Sequence, residues 1–306
     1  MNQPAVNESV LDASIHFQVG RFKARTLRAG EQWLDGGAMF GIIPRPLWEK
    51  KIPPDEKHRI PLAMRCLLVE HDVGLVLVDN GAGTKEAQKF YDIYGIDVQL
   101  DAVLHSAGYR REDVALVINT HLHFDHAGGN TVKADDGSIR PAFPNARYVM
   151  DRGEYHYATH TNERTAGSYF PHNFVPLVEQ GLVDFVEGEQ EIVPGISMYA
   201  TPGHTPHHKS VLIDGGGARA LFLADVMPTA AHLPLPWIMG YDVEPLVTLE
   251  SKRRLLREAA AEDWLLVFEH DYWQPAARVR AGEKGYEVIR EPEATWARER
   301  AAEGQE

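Results

Sequence analysis

Leu116-Val-Ile-Asn-Thr-His-Leu-His-Phe-Asp-His-Ala-Gly-Gly129 is the most informative stretch of this 306-residue chain. It opens in an apolar run that predicts a buried strand. His121 and His123 follow, and side chains two apart on an extended segment point the same way. A tight turn can then bring Asp125 and His126 round to a second point, so the stretch has ligands to begin two sites for Zn²⁺ or a similar metal. The strand before and the glycines after distinguish it from a solvated histidine-rich loop.

Three further positions carry metal-ligating side chains, and each follows an apolar run that predicts a strand. They are His204 at the end of Thr201-Pro-Gly-His, Asp225 after Leu221-Phe-Leu-Ala, and His270 after Val267-Phe-Glu. Taken alone, each could either cap a turn or bind a metal. A buried aspartate without a cation beside it costs free energy, and a carboxylate can bridge two metal ions about 3.5–4 Å apart. We therefore expect these positions to complete the metal site.

Composition argues against several classes of protein. Hydrophobic residues make up 44% of the chain and charged residues 25%, as in globular proteins. With 31 basic and 44 acidic residues, the net charge of −13 disfavours a nucleic-acid partner. No stretch of the sequence reaches the ~18 consecutive apolar residues of a membrane span, and the first residues lack the pattern of a signal peptide. We expect a cytoplasmic protein without nucleic-acid or membrane partners.

The order of predicted elements indicates a single domain over residues 1–306. Strands, a helix, strands and a helix recur in two comparable halves, which predicts two packed sheets with helices outside. A Gly/Pro-rich segment at about 33–61 is predicted to be a long ordered loop, and about 151–181 a helical insertion. Asp79, at a strand end, either orients a ligand histidine or caps the turn. The loop also carries side chains that either line an apolar pocket or cover a sheet edge: Met39, Phe40 and Trp48.

The ligands, in this order and over nearly the whole chain, resemble those of the metallo-β-lactamase superfamily. The resemblance implies an α/β fold, a four-layer αββα sandwich, and a pair of divalent metal ions, with zinc expected first and Fe, Co or Mn as alternatives. One metal would be bound by His121, His123 and His204, the other by Asp125, His126 and His270, with Asp225 as the bridge. His123 stands where redox-active di-iron relatives carry Glu, which favours zinc hydrolysis over oxygen chemistry.

A finer resemblance is carried by Leu34-Asp-Gly-Gly-Ala-Met-Phe-Gly41 with Pro44 and Pro46-Leu-Trp48, Met227-Pro-Thr with His232-Leu, and Pro236-Trp-Ile-Met-Gly-Tyr-Asp242. These segments look like the branch that contains quorum-quenching N-acyl-homoserine lactonases. Two positions depart from that branch. Pro228 stands where better-known lactonases carry a tyrosine, and His207 replaces the second glycine of Gly-His-Thr-Pro-Gly-His. His232 or Tyr241 is the candidate to replace the missing hydroxyl as donor to an oxyanion.

The resemblance implies hydrolysis of a lactone ring, N-acyl-homoserine lactone in particular, by a hydroxide that bridges the two metals. Metal binding lowers the pKa of water from about 15.7 towards roughly 7. Asp125 would pass a proton to the leaving alkoxide. The acyl chain would lie against apolar side chains: Met39, Phe40, Trp48, Trp237 and Met239.

Other activities share these ligands, because the motif is specific for the fold rather than for the substrate. The nearest alternative is a same-fold hydrolase of aryl esters, organophosphates or thioesters. An RNA-processing nuclease conflicts with the acidic charge, and a redox metal module without hydrolytic activity is the alternative from another class. We expect a small-molecule lactone or ester as the partner, and the Gly/Pro-rich segment could also form a homodimer contact.

Overall fold

Two β-sheets pack face to face in the computed structural model, which describes residues 14–283 and 285–289. The first residues, where the sequence shows no signal-peptide pattern, lie outside this range. The strands of the first sheet are β1 (His16–Val19), β2 (Phe22–Asp35), β3 (Arg59–His71), β4 (Gly74–Val78), β5 (Asp97–Val98), β6 (Val114–Ile118), β9 (Arg147–Asp151) and β10 (Val183–Val186). The strands of the second are β11 (Gln190–Val193), β12 (Ile196–Ala200), β13 (Lys209–Asp214), β14 (Arg219–Phe222), β15 (Leu265–Val267), β16 (Ala276–Gly282) and β17 (Gly285–Ile289). A separate hairpin consists of β7 (Thr131–Lys133) and β8 (Ile139–Pro141).

The helices lie between and outside these strands. They are α1 (Gly36–Phe40), α2 (Arg45–Trp48), α3 (Gln88–Tyr94), α4 (Leu100–Ser106), α5 (Phe124–Ala127), α6 (Arg152–Thr159), α7 (Val175–Glu179) and α8 (Pro245–Glu262). Short 3₁₀ turns occur at Arg111–Asp113, Gly128–Asn130, Pro171–Asn173, Ala224–Val226 and Ala230–His232. Among the described residues, no helix combines the length and the apolar character that a bilayer crossing requires.

Both sheets mix parallel and antiparallel pairs. The first has the strand order β1-β2-β3-β4-β6-β9-β10, with β5 beside β2, and β4, β6, β9 and β10 run parallel to one another. The second follows the order β11 to β17, and only β14 and β15 are parallel neighbours among its described pairs. Because parallel strands end at the same edge of a sheet, the loops after β4 and β6 emerge together, as do those after β14 and β15.

Alternating apolar residues give each sheet a buried inner face. Val76 and Ile118 of the first sheet belong to the same buried cluster as Val211, Phe222 and Val267 of the second. Stacked sheets of this kind bury nearly all of these side chains, each worth roughly 1.5–3 kcal/mol relative to exposure.

Helices cover both outer faces. On the first sheet, Leu100, Val103 and Leu104 of α4 pack among strand residues. On the second, Leu255 and Leu256 of α8 do the same. Each helix presents an apolar stripe at helical spacing to its sheet. The predicted four-layer αββα sandwich is therefore confirmed.

The Gly/Pro-rich segment at about 33–61 holds more regular structure than the predicted loop. β2 continues to Asp35, whose side chain accepts a hydrogen bond from the backbone N–H of Ala38 (2.9 Å) and caps α1. Pro46 lies in the first turn of α2, where a missing N–H does no harm. Glycine and proline here begin and end two short helices rather than excluding them. The segment at about 151–181 is helical at α6 and α7.

Candidate metal centre

The seven side chains predicted to bind metal converge at one edge of the sandwich, where strands end. They follow β6 (His121, His123, Asp125, His126), β12 (His204), β14 (Asp225) and β15 (His270). The ligating atoms of one group lie within 4.8 Å of one another: His121, His123, His204 and Asp225. Those of a second group satisfy the same limit: Asp125, His126 and His270. The structure thus brings the predicted ligands together in the two sets that the resemblance implies.

Asp225 lies between the two groups. Its Oδ2 atom is 3.0 Å from His204 Nε2 and 3.5 Å from His126 Nε2, and its Oδ1 atom is 3.1 Å from His270 Nε2. The preceding residue, Ala224, has a positive φ of 49°, which is unusual for a residue with a Cβ. Such strain tends to occur at functional sites. Here it turns the chain after β14 so that one carboxylate faces ligands of both groups, as a bridging ligand would.

The glycines that follow the histidine motif allow its close packing against the loop after β4. A Cβ atom on Gly128 would lie 2.3 Å from the carbonyl oxygen of Ala82, and one on Gly129 would lie 2.3 Å from that of Asn80. The Asn80 backbone cannot move away without losing the hydrogen bond from its N–H to His126 O (2.9 Å). The glycines therefore let the ligand-bearing loop after β6 touch the loop after β4, which carries Asp79.

Backbone and carboxylate acceptors orient two of the ligand imidazoles. His126 Nδ1 lies 3.1 Å from Asp79 Oδ2 and 3.0 Å from Glu269 Oε2. His270 Nδ1 lies 2.7 Å from the carbonyl oxygen of Ala63, and the Ala63 N–H donates back to His270 O (3.2 Å). A backbone carbonyl accepts hydrogen bonds and cannot donate them, and the same is true of an ionised carboxylate. Both rings thus carry their proton on Nδ1. Asp79 also accepts from the Thr120 backbone N–H (2.9 Å), so it both orients a histidine and caps the turn.

Two further imidazoles are oriented in the same way. His204 Nδ1 donates to Asp242 Oδ1 (2.9 Å), and the Thr248 hydroxyl donates to the other oxygen of that carboxylate (2.6 Å). His121 Nδ1 lies 3.1 Å from the hydroxyl oxygen of Thr120, which already donates to a carboxylate. His121 is therefore the donor in that contact. Partners of this kind fix the tautomer of metal-binding histidines.

The protonation pattern tests whether the residues fit a pair of metal ions. With the proton on Nδ1, a neutral ring presents a lone pair at Nε2. His126 Nε2 and His270 Nε2 lie 3.2 Å apart, so two lone pairs would face each other unless a proton or a metal ion is bound there. The Nε2 atom of His121 is buried and has no hydrogen-bond partner among the described residues. Lone pairs converge in this way around a cation, so the donor set fits divalent metals such as zinc.

The electrostatics of the group point the same way. Burial alone would lower the pKa of His204, but the Asp225 carboxylate outweighs it and raises the pKa to about 10. The same opposition raises the pKa of His270 to about 9. Burial and the neighbouring imidazoles lower the pKa of His121 and His123 well below the usual value. The Asp225 carboxylate thus favours positive charge at His204 and His270, whereas His121 and His123 resist protonation and keep lone pairs that a metal ion could accept.

Above the seven side chains lies a cavity of about 420 Å³. Five of the predicted ligands reach its surface: His123, Asp125, His204, Asp225 and His270. Gln32 donates from Nε2 to Asp125 Oδ2 (2.5 Å) beside them. Apolar side chains form much of the remaining wall: Leu34, Met39, Leu62, Phe124 and Met239. The cavity therefore joins a charged floor to an apolar wall.

The predicted substrate pocket needs correction at three positions. Met39 and Met239 line the cavity, whereas Phe40, Trp48 and Trp237 do not. Phe40 stacks on Trp48 with ring centroids 5.3 Å apart and meets Trp237 edge to face at 5.6 Å. Consecutive residues of a helix point in different directions, so Met39 of α1 reaches the cavity while Phe40 packs behind it, within the buried cluster to which Met39 and Met239 also belong.

The prediction that His232 donates to an oxyanion is wrong. Its side chain is buried outside the cavity lining, and its Nε2–H donates to the carbonyl oxygen of Met39 (2.8 Å). Its Nδ1 atom accepts from the Thr229 hydroxyl (2.8 Å), and its ring stacks on Phe40 at 4.6 Å. Both ring nitrogens are engaged in holding the fold together.

Tyr241, the other candidate donor, does line the cavity and is 41% exposed. Burial of part of the side chain raises the pKa of Tyr241 to about 12, so its hydroxyl keeps its proton at neutral pH. Pro228, where the tyrosine was expected, accepts at its carbonyl oxygen from the backbone N–H of His270 (3.0 Å).

Sequence reasoning missed part of the cavity. Gln32 and Leu34 share one face of β2, and Gln32 pairs in register with Leu62 of β3. Recognising that β2 continues past Trp33 would have revealed them. Aromatic and cationic residues of the helical segment also line the cavity: Tyr157, Arg164 and Tyr169.

Comparison with known proteins agrees with this geometry. A model of the metallo-beta-lactamase superfamily matches residues 61–270. An N-acyl homoserine lactonase from Bacillus sp is 30% identical over 230 residues, which cover 70% of this chain and 84% of the relative. A probable metal-dependent hydrolase from Staphylococcus aureus has a TM-score of 0.82 and 29% identity over 90% of this chain and 99% of its own. A solved N-acyl homoserine lactone hydrolase, with N-hexanoyl-L-homoserine bound at its catalytic metal center, has a TM-score of 0.63. It is 25% identical, and the match covers 84% of this chain and 95% of that one. The chain therefore belongs to the metallo-beta-lactamase superfamily, as a hydrolase related to the N-acyl homoserine lactonases.

Proposed function

We propose that this protein hydrolyses lactone rings, N-acyl-homoserine lactones in particular, with two divalent metal ions, most simply zinc. The observation that carries the proposal is the position of Asp225, which contacts ligands of both histidine groups at the floor of an apolar-walled cavity. The relatives support it, since one is named as an N-acyl homoserine lactonase and another was solved with a ring-opened product at its metal center.

The seven predicted side chains are the proposed ligands. His121, His123 and His204 would hold one ion and Asp125, His126 and His270 the other, with Asp225 shared between them. Bound in this way, the ions would polarise the lactone carbonyl and supply hydroxide near neutral pH. The lone pairs of His121, His126 and His270 described above fit this role.

Asp125 is the proposed proton carrier. Its Oδ2 atom accepts a hydrogen bond from Gln32, so we assign proton transfer to Oδ1. The carboxyl group would take the proton of the hydroxyl group that has added to the lactone carbonyl and pass it to the alcohol oxygen that leaves when the ring opens. A proton-transfer group must lie within reach of that oxygen, and Asp125 is on the cavity surface.

The cavity wall provides the proposed substrate contacts. An acyl chain would pack against Leu34, Met39, Leu62 and Met239. The Tyr241 hydroxyl, protonated at neutral pH, would donate to the carbonyl oxygen as negative charge develops there. It would thereby replace the tyrosine expected where Pro228 stands.

A substrate panel tests the proposal. The purified protein, loaded with zinc, is assayed on N-hexanoyl and N-decanoyl homoserine lactones, an aryl ester, a phosphotriester and a thioester. We expect the highest kcat/KM on the N-acyl homoserine lactones. Cleavage of one of the other substrates, with these lactones left intact, would overturn the lactonase proposal. Only the conclusion that the protein is a hydrolase would then remain. A cytoplasmic location and a homodimer stay predictions of the sequence.

A further inference from the structure

Lys252 is a buried lysine outside the metal centre, with a fully buried side chain on α8. Its ammonium group lies within hydrogen-bond distance of four backbone carbonyl oxygens of one neighbouring segment. The distances from Nζ are 2.7 Å to His232 O, 2.9 Å to Pro234 O, 3.2 Å to Leu235 O and 2.7 Å to Trp237 O. Lysine is rarely buried completely, so this arrangement calls for a reason in the surrounding structure.

Hydrogen bonds from Lys252 constrain the backbone path of residues 232–237. After the 3₁₀ turn Ala230–His232 this segment contains no helix or strand, and a backbone hydrogen bond from Trp237 N–H to Pro234 O (2.9 Å) closes a turn within it. An ammonium has three N–H donors and accepts nothing, and four carbonyls that face it share those donors. The carbonyls turned towards Lys252 restrict the path of the segment, because inward-facing backbone carbonyls require a hydrogen-bond donor and Lys252 Nζ provides one to all four.

The same segment leads directly into the cavity wall. Met239, Gly240 and Tyr241 follow it and line the cavity. Gly240 is held beyond the segment as well, since its N–H donates to Ala38 O (2.8 Å) and its carbonyl accepts from Arg164 Nη2 (2.8 Å). The wall is therefore held at Gly240 itself and, before it in the sequence, at the segment 232–237 that Lys252 contacts.

Other polar residues of α8 support the same side of the site. The Thr248 hydroxyl donates to Asp242, the partner of His204, and the Ser251 hydroxyl donates to Pro202 O (2.7 Å) in the turn before His204. Lys252 is distinct from these, because its hydrogen bonds go to the segment before the wall and to no ligand or partner of a ligand.

We propose that Lys252 is a positioning residue that sets the cavity wall Met239–Tyr241 by fixing the carbonyls of 232–237. It touches neither the metal ligands nor the proposed position of the lactone ring. Removing its donors should loosen the wall, weaken the hold on the acyl chain and leave the metal ions bound. The effect on the acyl chain rests on the proposed lactonase function, whereas the effect on the segment does not.

The test uses the full chain with two substitutions and one control. Lys252→Met keeps the length of the side chain without its donors, and Lys252→Gln keeps two N–H donors on a shorter side chain. The control is Arg253→Met, which removes a cation from the adjacent position of the same helix, where the side chain is 51% exposed. Amide hydrogen exchange is followed in peptides covering 229–243, together with metal content and kinetics on N-butanoyl and N-decanoyl homoserine lactones.

We expect exchange in 229–243 to be at least about tenfold faster in Lys252→Met than in the control, with peptides elsewhere unchanged and the same metal content. Lys252→Gln should give an intermediate rate, and it carries the test if Lys252→Met does not fold. For N-decanoyl homoserine lactone, KM should rise roughly fivefold to tenfold with kcat within about threefold, and KM for the N-butanoyl substrate should change less.

Two results would overturn the proposal. One is exchange in 229–243 that matches the control in both Lys252 variants. The other is faster exchange throughout the chain, which would mean that Lys252 contributes to overall stability alone. If the unsubstituted protein does not cleave these lactones, the lactonase proposal fails, and the exchange measurements still decide the role of Lys252.

Discussion

His126 Nε2 and His270 Nε2 lie 3.2 Å apart, although each ring already donates its Nδ1 proton to an acceptor. Two neutral imidazoles arranged in this way repel each other through their lone pairs. A proton or a metal ion between them removes the repulsion. The fold therefore places these two nitrogen atoms so that their arrangement is favourable when a positive charge is bound between them and unfavourable when none is.

Removing metal should destabilise the protein. A ligand that binds only the folded state stabilises it by RT ln(1 + [L]/Kd), about 4.1 kcal/mol at a thousandfold excess over Kd. We expect the Tm of the zinc-loaded protein to fall by several degrees after chelation and to recover when zinc is added back. Differential scanning calorimetry measures both steps. An unchanged Tm after complete removal of metal, verified by elemental analysis, would contradict this prediction.

His232 should make stability depend on pH. Burial lowers the pKa of His232 to about 3, below the value of about 6.5 in an unfolded chain. The unfolded state takes up this proton as the pH falls below 6.5, and the folded state does not until about pH 3. The stabilisation is thus complete above pH 6.5 and is lost towards pH 3, by roughly 1.4 kcal/mol per pH unit.

The substitution His232→Gln isolates this contribution, because glutamine does not titrate. Urea unfolding at pH 7.5, 6.0 and 4.5 should show the stability difference between the unsubstituted protein and His232→Gln shrinking as the pH falls. A difference that stays constant over this range would show that His232 does not remain neutral in the folded state.

Tyr241→Phe should slow the reaction without unfolding the protein. Loss of one hydrogen-bond donor to a developing oxyanion typically reduces kcat about 10²-fold to 10³-fold. We expect such a reduction with KM changed little and the same Tm. The control is Tyr109→Phe, which removes a hydroxyl that donates to Glu70 at the surface (3.0 Å). Equal kcat values in the two variants would exclude Tyr241 as the donor.

Two apolar substitutions should distinguish side chains that reach the cavity from side chains that pack behind them. Met239→Ala enlarges the cavity and should raise KM for long acyl chains more than for short ones. Trp48→Ala removes a buried ring that stacks on Phe40 and should cost about 3–5 kcal/mol of unfolding free energy, with the chain-length preference retained. Steady-state kinetics and urea unfolding distinguish the two. A changed preference in Trp48→Ala alone would reverse the assignment.

The ligand positions could be predicted because each one combines a local signal with a strand end. His204, Asp225 and His270 all follow apolar runs, and parallel strands deliver their ends to a common edge. The fold class followed from the same pattern of strands and helices. Strand ends and ligand motifs are local features of the sequence, so one sequence is sufficient to predict them.

The cavity wall could not be predicted as well, because its contacts join distant parts of the chain. His232 donates to the carbonyl of Met39, and Lys252 gathers carbonyls from a segment with no regular structure. Phe40 and Trp48 have the composition of a pocket but pack on each other. In these cases the side-chain direction depends on tertiary contacts that periodicity does not encode.

Anomalous diffraction at the zinc edge, from crystals grown with zinc, tests the central claim most directly. The account predicts two peaks about 3.5–4 Å apart, one among His121, His123 and His204 and the other among Asp125, His126 and His270, with Asp225 in contact with both. A single peak, or peaks away from these side chains, would contradict it.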